Sequence, residues 1–244
     1  MLEVNNLQVR FRKKQILHDI DLSIEKGKIL AVVGQSGSGK TTLLKALNRI
    51  VEEEGGKLSG EMRLFGRDLM RMDKEELRRR IGMVFQQPIA FPGNIERNLA
   101  YVLQYHRNLS RKELQEQIVL RLVQVRLYEE VRGRLKHSAQ TLSGGQKQRL
   151  AIARSLCADP DFLLLDEPCS ALDMKNTLAI EELLLSLRKE YGFVIVTHNL
   201  AQAKRIADSI VFMDEGRVLE VTEKEAFFTQ PKTQPAREQI AYLS

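Results

Sequence analysis

The chain has 244 residues, a net charge of +6, 43% hydrophobic and 29% charged residues, and only two cysteines. That apolar fraction suits a soluble domain with a sizeable core, and no stretch approaches the ~20 apolar residues of a membrane-spanning helix. The basic excess is scattered among acids, with Arg78-Arg79-Arg80 directly after Asp73-Lys74-Glu75-Glu76, which reads as a solvated helical face and argues against a nucleic-acid surface.

Residues 2–32 alternate apolar and polar through Leu7, Val9 and Phe11, then Ile20, Leu22 and Ile24. This predicts two antiparallel strands joined by the basic turn Arg12-Lys13-Lys14, with a second turn at Lys26-Gly27-Lys28. Phe11 closes the first strand as either a core residue or an aromatic platform for a nucleobase, because stacking needs only a flat exposed ring. The continuous β-branched run Ile29 to Val33 reads as a buried parallel strand. Gly34-Gln35-Ser36-Gly37-Ser38-Gly39-Lys40-Thr41 follows it, matching G-x-x-x-x-G-K-[ST] at every fixed position, and a helical pattern runs from Thr42 to Ile50. Glycines let such a loop curl its N–H groups around an anion, and the next helix adds its positive N-terminal end. Lys40 is placed to reach the β- and γ-phosphates and the Thr41 hydroxyl to ligate Mg²⁺, so the chain is expected to bind a nucleoside triphosphate.

Glu52-Glu53-Glu54-Gly55-Gly56 reads as an acidic loop without evident chemistry, followed by a short strand around Met62–Leu64 and a helix over Asp73–Arg80. Ile81 to Phe85 is a further buried strand ending in Gln86-Gln87-Pro88, since proline cannot continue in a sheet centre. From Asn94 to about Leu156 the period becomes 3.6, with Leu114, Ile118, Leu122 and Val125 on one face, which predicts an inserted helical lobe. The lobe closes on Leu142-Ser143-Gly144-Gly145-Gln146, which opens a helix over Lys147–Cys157 and offers a second anion-binding helix end. Phe162 to Leu165 run into Asp166-Glu167-Pro168, a helix covers Lys175–Tyr191, and Phe193 to Thr197 run into His198. A helix over Asn199–Ala207, strands Ile210–Met213 and Arg217–Val221, and a short tail complete the chain. Strands alternating with helices predict an α/β doubly wound, mainly parallel sheet with an antiparallel N-terminal portion. Cys157 and Cys169 show no metal spacing and read as reduced residues in or near the core.

In such sheets the active residues gather at strand carboxyl ends, where Gly34, Gln86, Asp166 and His198 all stand. Asp166 is expected in the Mg²⁺ shell and Glu167 as the general base for the attacking water. His198 can bond the γ-phosphate or orient the water, and Gln86 can bond the metal or the water. The two anion-binding helix ends lie in separate lobes, so a head-to-tail dimer is expected to bring them together.

Taken together, these residues resemble the ATP-binding cassette (ABC) ATPase family over essentially the whole chain. The P-loop, Gln86, the LSGGQ pentapeptide Leu142–Gln146, Leu163–Glu167, Ser170-Ala171-Leu172-Asp173 and His198 stand in family order. The resemblance implies ATP and Mg²⁺ as cofactors. It implies catalysis by Glu167, His198, Gln86 and Lys40, and Mg²⁺ held by Thr41, Gln86 and Asp166. ATP is expected on Gly34, Gln35, Ser36, Gly37, Ser38, Gly39, Lys40, Thr41 and Thr42. Phe11 occupies the adenine-stacking position, where the family more often has Tyr. Ser143, Gly144, Gly145, Gln146 and Asp173 are implied to close the site in trans from a second copy. The expected division is a nucleotide-binding core, 1–87 and 157–244, and a helical signature lobe, 88–156.

Leu47-Asn48-Arg49, Gly82–Gln86 with Phe91-Pro92, Arg134–Ala139, Thr197–Asn199 and Phe227–Pro231 resemble more narrowly the phosphate-import ATPases of bacterial ABC importers. Gln35 and Ser38 depart from that pattern, which has Pro and Cys there, and importers of polar amino acids or other oxyanions share much of it. The resemblance implies a chain at the cytoplasmic side of the membrane, without a secretory leader. Permease subunits would grip it through the loop 87–94, and an extracytoplasmic solute-binding protein would complete the system. DNA-acting relatives carry a long coiled coil between the counterparts of Gln86 and Ser143, for which this chain has no room. Ribosome-acting ones usually carry two cassettes, and small-molecule kinases lack LSGGQ.

Overall fold

The computed structural model describes residues 1–241. Strands β1 (Leu2–Phe11) and β2 (Lys14–Ile24) form a hairpin that faces Leu2, Val4, Leu7 and Val9 toward the same core as Leu17, Ile20 and Ile24. Then come β3 (Ile29–Val33), α1 (Lys40–Leu47), β4 (Gly56–Leu64), β5 (Arg67–Asp68), α2 (Lys74–Arg80) and β6 (Ile81–Val84). Between β6 and the next strand come α3 (Ile95–His106), α4 (Arg111–Gln124), the single turn α5 (Tyr128–Val131) and α6 (Gly144–Leu156). The remainder is β7 (Phe162–Asp166), α7 (Met174–Leu187), β8 (Gly192–Val196), α8 (Leu200–Ile206), β9 (Ser209–Asp214), β10 (Arg217–Glu223), α9 (Lys224–Thr229) and α10 (Gln234–Ala241).

Two sheets result, an antiparallel one in the order β2-β1-β4-β5 and a central one in the order β10-β9-β3-β8-β7-β6. Every pairing in the central sheet is parallel except that of β10 with β9. All five residues of β3, β7 and β8 are buried, as a strand covered on both faces requires. Side-chain alternation then sorts them. Leu163, Leu165, Phe193 and Ile195 join the core of the helical lobe, whereas Phe162, Leu164, Val194 and Val196 join the core beneath α1 and the antiparallel sheet. This is the doubly wound arrangement, and it sends the carboxyl ends of β3, β6, β7 and β8 to one edge.

Three stretches differ from the sequence expectation. Strand β4 begins at Gly56 instead of near Met62, because Lys57, Ser59 and Glu61 pair with β1 while facing solvent and Leu58 packs partly on the core. Glu52, Glu53 and Glu54 are structural: they pair with Lys74 (2.8 Å), Arg78 (2.7 Å) and Lys45 (2.6 Å), joining the α1 and α2 regions. The tail is ordered as α9 and α10. Phe227 is fully buried against Phe212, and the buried carboxylate of Glu220 accepts the N–H groups of Lys232 and Thr233. Among the described residues, no helix is long and apolar enough to cross a membrane. Cys157 and Cys169 are free thiols.

Candidate functional site

The site begins where β3 stops. Gly34 turns with φ +147, and a Cβ there would overlap the carbonyl oxygen of Met213 on β9. Gly39 caps α1 in the left-handed region, φ 96, without any side-chain cap, so the first-turn N–H groups are left free of side-chain acceptors. Lys40 is buried and folds back on its own loop. Its Nζ donates to Gly34 O (2.9 Å), Gln35 O (2.6 Å) and Ser38 Oγ (3.3 Å). Burial lowers the Lys40 pKa, against the opposing pull of Glu167 and Asp166. In front of this turn opens a cleft of about 530 Å³, lined by Ile16, Ser36, Gly37, Gly39, Lys40, Thr41, Thr42, Gln86, Glu167 and His198.

The carboxylates enter from β7. Asp166 is its last residue, 6% exposed, and accepts a hydrogen bond from Thr41 Oγ1 at 3.0 Å. Burial raises its pKa, and the Thr41 bond opposes that rise. Glu167 then takes φ 45, a left-handed conformation rare outside glycine, while its N–H donates to Val196 O on β8 at 2.9 Å. That kink breaks the strand alternation and sets the Glu167 carboxylate between two neighbouring strand ends. Gln86 Nε2 donates to Glu167 Oε2 at 3.1 Å, and His198 Nδ1 lies 3.1 Å from Oε1. Gln86 Nε2 also reaches Ser170 Oγ (3.4 Å), whose hydroxyl donates back to Glu167 O (3.2 Å). The structure thus brings Lys40, Thr41, Asp166, Glu167, Gln86 and His198 into one place. A base held at a strand end, a lysine and a free helix N-terminus can together bind a polyphosphate and activate a water against it.

The sequence model of the ABC transporter family matches residues 17–170. The chain belongs to the ABC transporter family. It is 41% identical over 242 residues to the phosphate import ATP-binding protein PstB 1 of Vibrio parahaemolyticus, covering 98% of this chain and 89% of that one. It is 44% identical over 233 residues to the phosphate import ATP-binding protein PstB of Colwellia psychrerythraea, with 94% and 84% covered. Among solved structures it is similar to the dimeric post-hydrolysis state of the ATP-binding cassette MJ0796 bound to ADP and Pi, with TM-score 0.77, 28% identity, and 92% of this chain and 99% of that one covered. It is also similar to cbiO1 from Clostridium perfringens, part of the ABC transporter complex cbiONQ, with TM-score 0.83, 28% identity, and 94% and 90% covered.

The ABC signature residues form a second group, outside the P-loop cleft of the same chain. Ser143 caps α6, its Oγ accepting from Gln146 N (3.3 Å) while Gln146 Oε1 accepts from Ser143 N (3.1 Å). Gln146 Nε2 donates to Glu130 at 2.8 Å. Gly145 lies so close to Asn176 that a Cβ would overlap its side-chain oxygen, and Asp173 caps α7 by accepting from Asn176 N at 2.8 Å. Ser143, Gly144, Gly145, Gln146 and Asp173 therefore share one neighbourhood, and none of them lines the cleft.

Phe11 also stands outside the cleft lining. Its ring packs partly buried on the core beneath α1, with its tip toward Gly56, and Ile16 of β2 occupies the cleft wall instead. The Gly34 and Gln35 carbonyls and the Ser38 hydroxyl hold the Lys40 ammonium. Sequence reasoning missed Ile16, an ordinary alternating strand residue with no distinguishing signal. It also missed the contact of Ser170 with Gln86, although the position of Ser170 three residues after Glu167 at a strand end could have suggested it.

Proposed function

We propose that this chain is the ATP-hydrolysing subunit of an ABC importer that carries inorganic phosphate through partner permease subunits. The observation that carries the catalytic reading is Glu167, kinked out of β7 and held between Gln86 and His198 at the mouth of the P-loop cleft. The identity to phosphate import ATP-binding proteins supports the choice of solute. In this reading the free first turn of α1 and the loop Gly34–Gly39 hold the phosphates, and Lys40 leaves its carbonyl partners for the β- and γ-phosphate oxygens. Glu167 takes the proton of the attacking water, and His198 bonds the γ-phosphate. Ile16, rather than the core-packed Phe11, flanks the cleft, and Thr42 lines the phosphate end.

Mg²⁺ fits the donor set, since Thr41 Oγ1 and Asp166 Oδ1 are 3.0 Å apart and Gln86 faces the same space. Few protein oxygens suffice for this ion, which keeps waters and phosphate oxygens as its other ligands. When bound, it neutralises charge on the phosphates.

Ser143, Gly144, Gly145, Gln146 and Asp173 close the site of a second copy in a head-to-tail dimer, supported by their separation from the cleft in one chain. Residues 88–156 then serve as the signature lobe and 1–87 with 157–244 as the nucleotide-binding core. The loop 87–94 receives the permease at the cytoplasmic side of the membrane, supported by the exposed Ile89 and Phe91. An extracytoplasmic solute-binding protein delivers the solute. The test is to reconstitute the chain with its permease and solute-binding protein and to measure ATPase activity with phosphate, sulfate and several amino acids. Stimulation by phosphate is expected. Stimulation by an amino acid or sulfate with none by phosphate would reject the solute while leaving the transport ATPase standing.

A further inference from the structure

Three consecutive carbonyls in the loop after Gln86 are each held by a different side chain of the helical lobe. Ile89 O accepts from Arg154 Nη1 of α6 at 2.9 Å, and Ala90 O accepts from Gln140 Nε2 at 2.8 Å. Phe91 O accepts from Asn98 Nδ2 of α3 at 3.2 Å, and the Phe91 N–H donates to Asn98 Oδ1 at 2.8 Å. Of the side chains, Ile89 is 68% exposed and Phe91 38%, whereas Ala90 is buried in the core. The backbone is gripped from inside while Ile89 and part of Phe91 stay open to solvent.

Arg154 ties several of these groups together. Its guanidinium carbon lies 3.9 Å from the centroid of the Phe91 ring, and Nη1 also reaches Asn98 Oδ1 at 3.5 Å. One planar cation thereby fixes the Ile89 backbone, the Phe91 ring and the Asn98 amide together, which a lysine or an aliphatic residue cannot reproduce. Arg154 belongs to the helix whose first residues, after the Ser143 cap, form the signature end. At about 1.5 Å per residue, roughly 15 Å of continuous helix separates Gly144 from Arg154. Gln86, by contrast, is tied to Glu167 in the cleft. Only Gln87 and Pro88 lie between a residue bound to the cleft and a segment bound to the lobe.

We propose that Arg154 is a positioning residue: it makes α6 a strut that carries residues 89–91 as one body with the signature end, so that movement of that end displaces the docking loop. The strut stands on the contacts above. Its consequence for transport rests on the docking reading given under Proposed function, and the two are separable by experiment.

The strut is tested on the isolated chain by amide hydrogen exchange. Arg154→Met is expected to speed exchange of the Phe91 amide by about ten-fold or more, the scale of one charge-assisted hydrogen bond, while amides of α6 keep their protection. Arg154→Lys is expected to restore part of it, because an ammonium still offers a donor and a cation. Arg154→Gln takes the place of the Met variant if that one does not fold. Unchanged exchange at residues 89–91 in the Met or Gln variant overturns the strut. In the reconstituted transporter, Arg154→Met is expected to keep ATP affinity and ATP-driven self-association but to lose about ten-fold in permease-stimulated hydrolysis. Full stimulation overturns the coupling role. Ile89→Asp probes docking by itself, because Ile89 enters the strut only through its backbone oxygen and its side chain is exposed: normal assembly with the permease rejects the docking reading, and the exchange result still decides the strut.

Discussion

Helices α1 and α6 both start from glycine-containing turns, but their first turns are completed in opposite ways. At α1 the cap is Gly39, which has no side chain to offer, and Lys40, the first helical residue, is folded onto loop carbonyls. At α6 the cap is Ser143, and Ser143 and Gln146 satisfy each other's N–H groups in a closed capping box. The first end has donors waiting for an acceptor from outside. The second has its Ser143 and Gln146 amides closed by each other and offers an exposed hydroxyl and the glycine backbone of Gly144 and Gly145. In the proposed reading the first end takes its anion within its own chain, whereas the second is brought to the cleft of another copy.

Removing the lysine should break the comparison most severely. Lys40→Met is expected to lower ATP affinity on the order of 10²–10³, the loss of charge-assisted bonds to two phosphates, as read by titration with a fluorescent nucleotide. Ser143→Ala should leave the affinity of the dilute, isolated chain unchanged. Equal losses in the two variants would mean that both ends contact nucleotide within one chain.

Glu167→Gln is expected to lower turnover on the order of 10²–10⁴ with ATP binding preserved, the usual contribution of a positioned general base. Gln keeps the size, its oxygen can still accept from Gln86, and its amide nitrogen can donate to Nδ1 of a neutral His198, so the cleft should retain its geometry. ATP should then trap a dimer visible by light scattering, and near-wild-type hydrolysis would remove Glu167 from the base role. Ser143→Arg acts only on the other helix end. It should leave nucleotide binding intact and abolish both that dimer and positive cooperativity in ATP. Full-rate hydrolysis by a dilute monomer would show that the α6 end is not needed.

The α1 end was legible in the sequence because its chemistry is local: strand, glycine spacing, lysine and helix follow one another without a gap. The geometry of Glu167 was not. A left-handed glutamate after a leucine run has no residue signature, since the φ is imposed by the bond of Glu167 N to Val196 O on another strand. The aromatic reading of Phe11 rested on its position at a strand end, and packing onto the core beside Gly56 depends on β4, whose polar first half hid it. Helices α9 and α10 escaped notice because each is short and buries only one side chain fully, Phe227 and Ala236, with Phe228 and Ile240 partly covered. Periodicity reports elements that bury a face over several turns, and these do not.

The mildest effect concerns what each end costs the fold. At the α1 end, burial raises the Asp166 pKa above its ordinary value of 3.8. The folded chain therefore holds that proton more tightly than the unfolded chain. The associated stability is present below the ordinary value and lost as pH rises through the folded one, so at neutral pH the ionised carboxylate is a liability of the nucleotide-free protein. At the α6 end Glu130 behaves in the opposite sense. Despite the burial that would raise it, hydrogen bonds from Arg149 and Gln146 hold its carboxyl below the ordinary range. Its stabilisation is present at neutral pH and lost as pH falls through the lowered value. Asp166→Asn, which can still accept from Thr41, is accordingly expected to raise the melting temperature of the nucleotide-free chain by a few degrees at neutral pH. Glu130→Gln is expected to lower it, and both differences should shrink toward zero on acidification. Thermal melts of the two variants and the parent across the carboxylate range read this directly. A loss of stability in Asp166→Asn at neutral pH would mean that its charge serves the fold itself, and that the α1 end is no less complete without an anion than the α6 end.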